Sequence, residues 1–165
     1  MSTTAQSKKE TIISELVEAR KMILEAASSL PPEKRDEVFL GIWSVRDLLA
    51  HLAGWDFTNL QAAQEILAGR LPAFYARYDH DWQTYNAELV SMYKRDDFAS
   101  LLALVKGSHR RLIEFLQTIP ADEFERKRGL RWQGHEVTIA GLLEVEAADE
   151  RTHYAQIREF GGGEK

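Results

Sequence analysis

The stretch Trp43-Ser-Val-Arg-Asp-Leu-Leu-Ala-His51-Leu-Ala-Gly-Trp55 opens a long helix and carries the strongest helix-start signal in the sequence. Ser44 is a good N-cap residue, because its hydroxyl can accept a hydrogen bond from a free backbone N–H of the first turn. Asp47, three residues later, resembles the acidic partner of a capping box, where Glu or Gln is usual. Apolar positions then repeat every three or four residues to about Ala68, and Gly69 ends the helix.

Further amphipathic segments lie on both sides of this helix, and each shows the apolar spacing of a helix with one buried face. They span residues 8–30, 82–95, 98–119 and 139–160, and Asp96 and Asp97 mark a break or kink between the segments 82–95 and 98–119. Pro31 and Pro120 stop two of them, because proline cannot continue a helix. The last segment is capped by Thr138.

The connections between these segments suggest how the helices pack. Residues 33–42 are interpreted as a loop with room for one short turn, and residues 121–137 as an irregular loop. Residues 70–79 are interpreted as a connection long enough to cross the molecule. We therefore predict an all-α four-helix bundle with a long crossover between helices 2 and 3. The bundle forms a single domain over residues 1–165, with a flexible tail at about 161–165.

Composition limits the classes of function. The chain has 165 residues, no cysteine and a net charge of −5, so disulfides, thiolate nucleophiles and cysteine metal sites are excluded. The acidic balance argues against a nucleic-acid partner, because phosphate binding needs clustered Lys and Arg. There is no apolar run of the roughly 20 residues that cross a bilayer, and no signal-peptide core. We expect a cytoplasmic protein without a membrane partner.

The last helix breaks the apolar pattern at its centre. Its inward stripe begins with leucines and isoleucine, but then places Glu146, Asp149, Glu150 and His153 on the same side. Burying an unpaired carboxylate costs several kcal/mol, so these acids need a partner, a proton or a metal. Asp149 and His153 are four residues apart and can converge on one point.

His51 lies at the edge of the apolar face of the second helix, between Leu48 and Trp55. Together with Asp149 and His153 it would complete a set of two histidines and one carboxylate, which suits Zn, Ni, Fe or Mn and leaves open positions for water or substrate. The spacing alone leaves a second interpretation open. In that interpretation His51 is a satisfied histidine at the core edge, and the acids form solvated or ion-paired faces.

The stretch 43–55 resembles the signature that opens the second helix in the DinB-like superfamily of four-helix bundles, which includes mycothiol-dependent maleylpyruvate isomerase. The segment Asp149-Glu-Arg-Thr-His153-Tyr-Ala-Gln-Ile157 is similar to the second signature of that superfamily, where a His, Glu or Asp precedes a His by four residues. The resemblance implies a divalent metal bound by His51, Asp149 and His153.

Within the superfamily, the chain looks most like the ClbS/DfsB group, and the likeness covers nearly its whole length. Familiar features include the start Ser7-Lys-Lys-Glu-Thr-Ile, the pair Tyr85-Asn86 and the stretch Ile119-Pro-Ala-Asp-Glu-Phe124. Asp149 departs from the histidine that is most common at its position, and some members of the group lack the full triad. The departure puts metal occupancy in question.

Other residues receive roles by their position relative to this site. Glu146 or Glu150 is the candidate general base, or a partner that orients His153. A substrate pocket beside the metal would be lined by Trp55, Trp82, Tyr85 and Asn86. His80 and His109 lie in polar stretches and are interpreted as surface residues.

The leading functional hypothesis is a metal-dependent hydrolase or transferase that acts on a small electrophilic metabolite or toxin, in self-protection or detoxification. The resemblance supplies this substrate class, and the absence of cysteine means that any thiol chemistry needs an external thiol. Two alternatives stay open. One is a metal-free protein that binds or sequesters a small molecule, and the other is a structural stress-response homodimer without catalysis.

Overall fold

The computed structural model describes residues 3–162, and residues 163–165 of the predicted tail lie outside the described part. Six α-helices account for most of the chain, and two short antiparallel hairpins lie in the loops. The helices are α1 Thr3–Ser28, α2 Val45–Leu67, α3 Phe74–His80, α4 Trp82–Tyr93, α5 Phe98–Thr118 and α6 Ile139–Phe160. The strands are β1 Val38–Leu40 and β2 Trp43–Ser44, then β3 Arg131–Trp132 and β4 His135–Glu136.

The long helices pack as the sequence predicted, in an all-α helical bundle. Helix α1 packs along α6, and α2 packs along α5, while α4 lies against another side of α2. The crossover between α2 and α5 contains α3 and α4. In residues 3–162, no helix is both long enough and apolar enough to cross a membrane.

The predicted helix starts are confirmed. Ser44 Oγ accepts a hydrogen bond from the Asp47 backbone N–H at 3.1 Å, and Asp47 Oδ2 accepts one from the Ser44 N–H at 3.0 Å. These two bonds make a capping box in which Asp replaces the usual Glu. At the start of α6, Thr138 Oγ1 accepts from the Gly141 N–H at 3.0 Å. Both caps fix the end of a helix that carries a candidate site residue.

The connections contain more regular structure than the sequence predicted. Residues 33–42, interpreted as a loop with room for one short turn, contain such a turn in the 3-10 helix Pro32–Asp36. They also contain the β1–β2 hairpin, which was not predicted. Residues 70–79 hold helix α3, because its aromatic side chains pack onto Trp55 and Trp132 rather than pointing to solvent.

The loop 121–137 also differs from its prediction, since it contains a 3-10 turn at Ala121–Glu123 and the β3–β4 hairpin. A two-residue turn joins β3 to β4. Its residues Gln133 and Gly134 both have positive φ, at 49° and 83°, which is the backbone geometry that suits the twist of a tight hairpin.

The apolar core has two separate parts. One cluster contains buried residues such as Leu16 of α1 and Leu143 of α6, and the other contains residues such as Ile23 of α1 and Ile157 of α6. Between the two parts, each of the four bundle helices buries a polar or charged side chain. We call these four residues the polar layer: Arg20 of α1, Asp56 of α2, Ser108 of α5 and Glu150 of α6.

Candidate functional site

The Arg20 guanidinium forms the centre of the polar layer and is 2% exposed. Its Nε donates to Glu150 Oε1 and its Nη2 to Glu150 Oε2, both at 2.9 Å. Its Nη1 donates to Asp56 Oδ2 at 2.8 Å, and Nη2 also donates to Asp56 Oδ1 at 2.9 Å. One buried cation thus ties α1 to α2 and to α6 through paired, charge-assisted hydrogen bonds.

Asp56 collects further contacts from α5. Ser108 Oγ donates to Asp56 Oδ2 at 2.6 Å, and His109 Nδ1 lies 3.9 Å from Asp56 Oδ1. Burial alone would raise the pKa of Asp56, but Arg20 and His109 outweigh it and hold that pKa below its ordinary value. Asp56 is therefore an ionised carboxylate at neutral pH, although it is 1% exposed.

Next to the polar layer, α2 and α6 bring His51 and His153 together. Their ring centroids are 5.6 Å apart and the rings are nearly perpendicular, at 85°. His51 is buried, with Trp43 at 4.7 Å and Trp55 at 6.3 Å between centroids. His153 is half-buried and its Nδ1 lies 2.9 Å from Gln156 Oε1. We call these two rings the imidazole pair.

His51 is a neutral imidazole at physiological pH. Burial, and then the neighbouring His153 and Arg20, lower the pKa of His51 to about 3. Its Nδ1 is buried and has no hydrogen-bond partner among residues 3–162. A buried nitrogen without a partner is rare in a folded protein, so this position is a candidate for binding a polar group.

On the other side of the polar layer, Glu146 of α6 faces Asn59 of α2. Glu146 is 9% exposed and Asn59 is 1% exposed. Burial, and then the charges of Glu150 and Asp56, raise the pKa of Glu146 to about 8. The Asn59 amide lies beside this carboxyl and works against the rise in its pKa, yet within the described part of the chain neither its Oδ1 nor its Nδ2 forms a hydrogen bond of normal geometry. We call Asn59 and Glu146 the amide–acid pair.

Asp149 and Tyr78 mark the side from which solvent reaches the site. Asp149 is exposed on α6, and its pKa is raised by partial burial against the opposing effect of His153. Burial, and then the charge of Asp149, raise the pKa of the Tyr78 phenol, and Glu146 contributes to the same rise. The phenol of α3 therefore lies near both carboxyl groups and stays protonated.

The predicted pocket residues fall into two groups. Trp55 Nε1 donates to Asn86 Oδ1 at 2.9 Å, and the Trp55 and Tyr85 ring centroids are 5.6 Å apart, so these three side chains form one wall beside the imidazole pair. Trp82 is 54% exposed at the start of α4 and joins none of the ring contacts found in the described residues. Tyr78, which the sequence analysis did not select, packs on Trp55 with centroids 5.4 Å apart.

The predicted metal triad is only partly assembled. His51 and His153 are close enough to direct nitrogens toward one point, but a metal site of this type needs a third protein ligand. Among residues 3–162, no three His, Asp or Glu side chains converge closely enough to hold a metal ion. Metal binding by His51, Asp149 and His153 therefore stays a prediction.

Sequence reasoning found the acids of α6 but missed their partners. Arg20 lies four residues after Leu16 and three before Ile23, so its place on the buried stripe of α1 was a readable signal. Glu150, predicted as a catalytic or orienting acid, has both carboxylate oxygens occupied by Arg20. His109 was interpreted as a surface residue, but its side chain is only 13% exposed because it packs toward Asp56.

Comparison with solved structures finds the same fold in proteins of low sequence identity. The colibactin self-resistance protein ClbS, in complex with a dsDNA, is 18% identical, with a TM-score of 0.73 over 92% of this chain and 94% of ClbS. A protein from Streptococcus pneumoniae is 14% identical, with a TM-score of 0.75 over 92% of this chain and 88% of that one. An uncharacterised protein from Escherichia coli UTI89 is 14% identical, with a TM-score of 0.70 over 93% and 92%. No curated protein matches the chain.

The prediction that nucleic acid is not a partner is wrong. It used the net charge of −5, but ClbS, which shares this fold, has been crystallised with double-stranded DNA. Net charge sums over the whole surface, whereas contacts with phosphates depend on where individual Lys and Arg side chains lie. The acidic balance of this chain therefore does not exclude a DNA partner.

The family assignment covers most of the chain. The family model described as the DinB superfamily matches residues 15–157, a range that contains the polar layer, the imidazole pair and the amide–acid pair. The resemblance seen in the two histidine signatures is thereby confirmed, and the chain belongs to the DinB superfamily.

Proposed function

We propose that this protein protects its cell by inactivating a reactive, electrophilic small molecule at the imidazole pair. The observation that carries the proposal is the position of His51 and His153, which meet at 5.6 Å between centroids at the edge of a buried charged network. The similarity to ClbS supports the same role, because that protein is a colibactin self-resistance protein.

The chemistry follows from what two imidazoles can do without a metal. A water molecule or an external thiol that lies beside the two rings can donate a hydrogen bond to a ring nitrogen and attack an electrophilic carbon. As the new bond forms, the proton of the nucleophile passes to the imidazole of His153, because the low pKa of His51 makes that ring a poor proton acceptor. The electron pair of the broken bond goes to the leaving atom. The protein has no cysteine, so a thiol nucleophile must come from solution.

The surrounding residues position and select the substrate. Trp55 and Tyr85 offer an apolar wall, while Asn86 is held by the Trp55 indole N–H. The Arg20 contacts with Asp56 and Glu150 hold α2 and α6 at a fixed separation, and these helices carry the two histidines. Holding the two imidazoles in a fixed geometry lowers the entropic cost of bringing the reacting groups together.

A divalent metal, Zn, Ni, Fe or Mn, stays a prediction from the family resemblance. The two histidines supply two ligands, and a third would require a side chain or substrate atom to move into place. Metal analysis of protein purified without an affinity tag, before and after chelation, tests this point separately from the reaction.

The proposal is tested with model electrophiles, an epoxide and an activated cyclopropane, each incubated with the full chain in the presence and absence of glutathione. Loss of the electrophile is followed by mass spectrometry for the wild type and for His51→Ala and His153→Ala. His80→Ala is the matched control, because His80 is exposed at the end of α3. Turnover that disappears in the first two variants and persists in the control supports the proposal.

Turnover that is unchanged in both site variants would refute it. Saturable binding of the electrophile without any chemical change would instead favour the sequestering protein that the sequence left as an alternative.

A further inference from the structure

The buried charges around the polar layer do not balance. Three carboxyl groups are buried there, on Asp56, Glu146 and Glu150, while Arg20 is the one buried cation among the described residues. All of the Arg20 hydrogen bonds go to Asp56 and Glu150. Glu146 is therefore the acid without a cation, and a buried carboxylate in that condition is ionised only when a positive group joins it.

Asn59 gives a second, independent sign that something binds at this position. Its side chain is 1% exposed, and in the part of the chain that the structure describes both its amide oxygen and its amide nitrogen lack a partner. Buried polar atoms are satisfied in more than about nine cases out of ten in folded proteins. Two unpaired polar atoms on one buried side chain, beside an acid without a cation, are groups with which a polar ligand could form hydrogen bonds.

The amide–acid pair lies on the same two helices as the imidazole pair. Glu146 lies three residues before the exposed Asp149 on α6, and the Tyr78 phenol lies near both carboxyl groups. Trp55 precedes Asn59 by four residues, so its indole is on the same face of α2. Trp55, which contacts both Tyr78 and His51, therefore connects the amide–acid pair to the imidazole pair.

We propose that Asn59 and Glu146 form a subsite for a protonated amine carried by the small molecule that this protein inactivates. The inference rests on the proposed function for the identity of that molecule, and on Asn59 and Glu146 alone for its charge. An ammonium group has three donors and no acceptor, so it can donate to one Glu146 oxygen and to Asn59 Oδ1. The Asn59 amide nitrogen then donates to the other Glu146 oxygen, and every orphaned atom is paired.

An ammonium group fits better than a neutral or anionic one. It supplies the missing positive charge, and Trp55 offers a ring face of the kind that attracts cations. An anionic group would meet three carboxyl groups, and the one nearby guanidinium is already fully engaged.

The test uses benzylammonium as the probe and benzyl alcohol as its neutral counterpart, each titrated into the full chain. Binding is followed by NMR through the side-chain amide signals of Asn59. We expect benzylammonium to shift these signals in a saturable way, and Glu146→Gln to weaken its binding at least about tenfold, since the charge-assisted bond is lost. Glu144→Gln is the matched control, because Glu144 lies on α6 two residues away and is exposed.

The inference is overturned if benzyl alcohol shifts the signals as strongly as benzylammonium, if neither probe saturates, or if Glu146→Gln binds like the wild type. Asn59→Leu should weaken the amine to a similar degree, with binding read from the Trp55 indole signal. Amine binding that survives in His51→Ala, where turnover of the model electrophiles is measured separately, distinguishes a failure of this subsite from a failure of the proposed reaction.

Discussion

Replacing Arg20 with leucine should destabilise the protein by several kcal/mol. The change removes four hydrogen bonds and leaves Asp56 and Glu150 buried without a cation. Breaking a buried ion pair by deleting one partner costs about 3–5 kcal/mol, and this deletion leaves two partners, so we expect about 5 kcal/mol. Domains of this size are stable by roughly 5–15 kcal/mol, so the variant should be close to unfolding.

The free energy of unfolding is measured by urea titration with circular dichroism, at pH 5 and pH 8. In the variant the two orphaned carboxyl groups should hold their protons in the folded state, so the loss should be larger at pH 8 than at pH 5. Arg20→Leu combined with Asp56→Asn and Glu150→Gln should recover most of the stability, because the remaining groups are neutral. Arg151→Leu is the control, since Arg151 is exposed in a 3.5 Å surface ion pair and its loss should cost under about 1 kcal/mol. A loss under about 1 kcal/mol for Arg20→Leu alone would refute the account of the polar layer.

Two further predictions concern single positions. The pKa of Glu146 is about 8 in the folded protein and 4.5 by reference, so its stabilising contribution is complete below pH 4.5 and is lost as the pH rises through 8. At about 1.36 kcal/mol per pKa unit, the free energy of unfolding should fall by roughly 5 kcal/mol over this pH range. The urea midpoint of Glu146→Gln should not show this fall. If the midpoints of the variant and the wild type change with pH in parallel, the pKa assigned to Glu146 is wrong. Gly54→Ala should cost about 1–3 kcal/mol, because an added Cβ would lie 2.7 Å from Leu89 Cβ where α2 packs on α4. At Gly107 an added Cβ would have no atom within 4 Å, so Gly107→Ala should instead stabilise α5 by roughly 0.5–1 kcal/mol. Equal changes in melting temperature for the two variants would contradict this difference in packing.

Local signals in the sequence predicted most of the helical framework. The Ser44–Asp47 capping box, the Thr138 cap and the prolines after α1 and α5 all act through a few neighbouring residues, so they can be identified without a fold. Helix α3 was missed because its helical state depends on packing against Trp55 and Trp132, which are distant in sequence.

Several residues of the candidate site were also identified from local sequence patterns. The acids and the histidine of α6 stood out because they interrupt an apolar stripe, and His51 stood out beside Trp55. Arg20 interrupts the stripe of α1 in the same way, but a lone arginine in a helix is most often solvated, and its partners lie 36 and 130 residues away. Which buried charges pair with one another is decided by the packing of three helices, and no single segment carries that information.

Because the polar layer divides the core into two apolar parts, the four helices have one preferred alignment along the bundle axis. A bundle held only by leucine and alanine faces can slide by one turn, about 5.4 Å, and lose little contact. Here, sliding α1 by that distance would move Arg20 into an apolar cluster and leave two carboxylates behind it. Such an arrangement is far less stable than the native one, so the charged groups fix the position of each helix along the bundle axis. The same charged groups place residues 51 and 153 opposite each other. The relative position of the two histidines is therefore determined by the polar layer at the centre of the molecule.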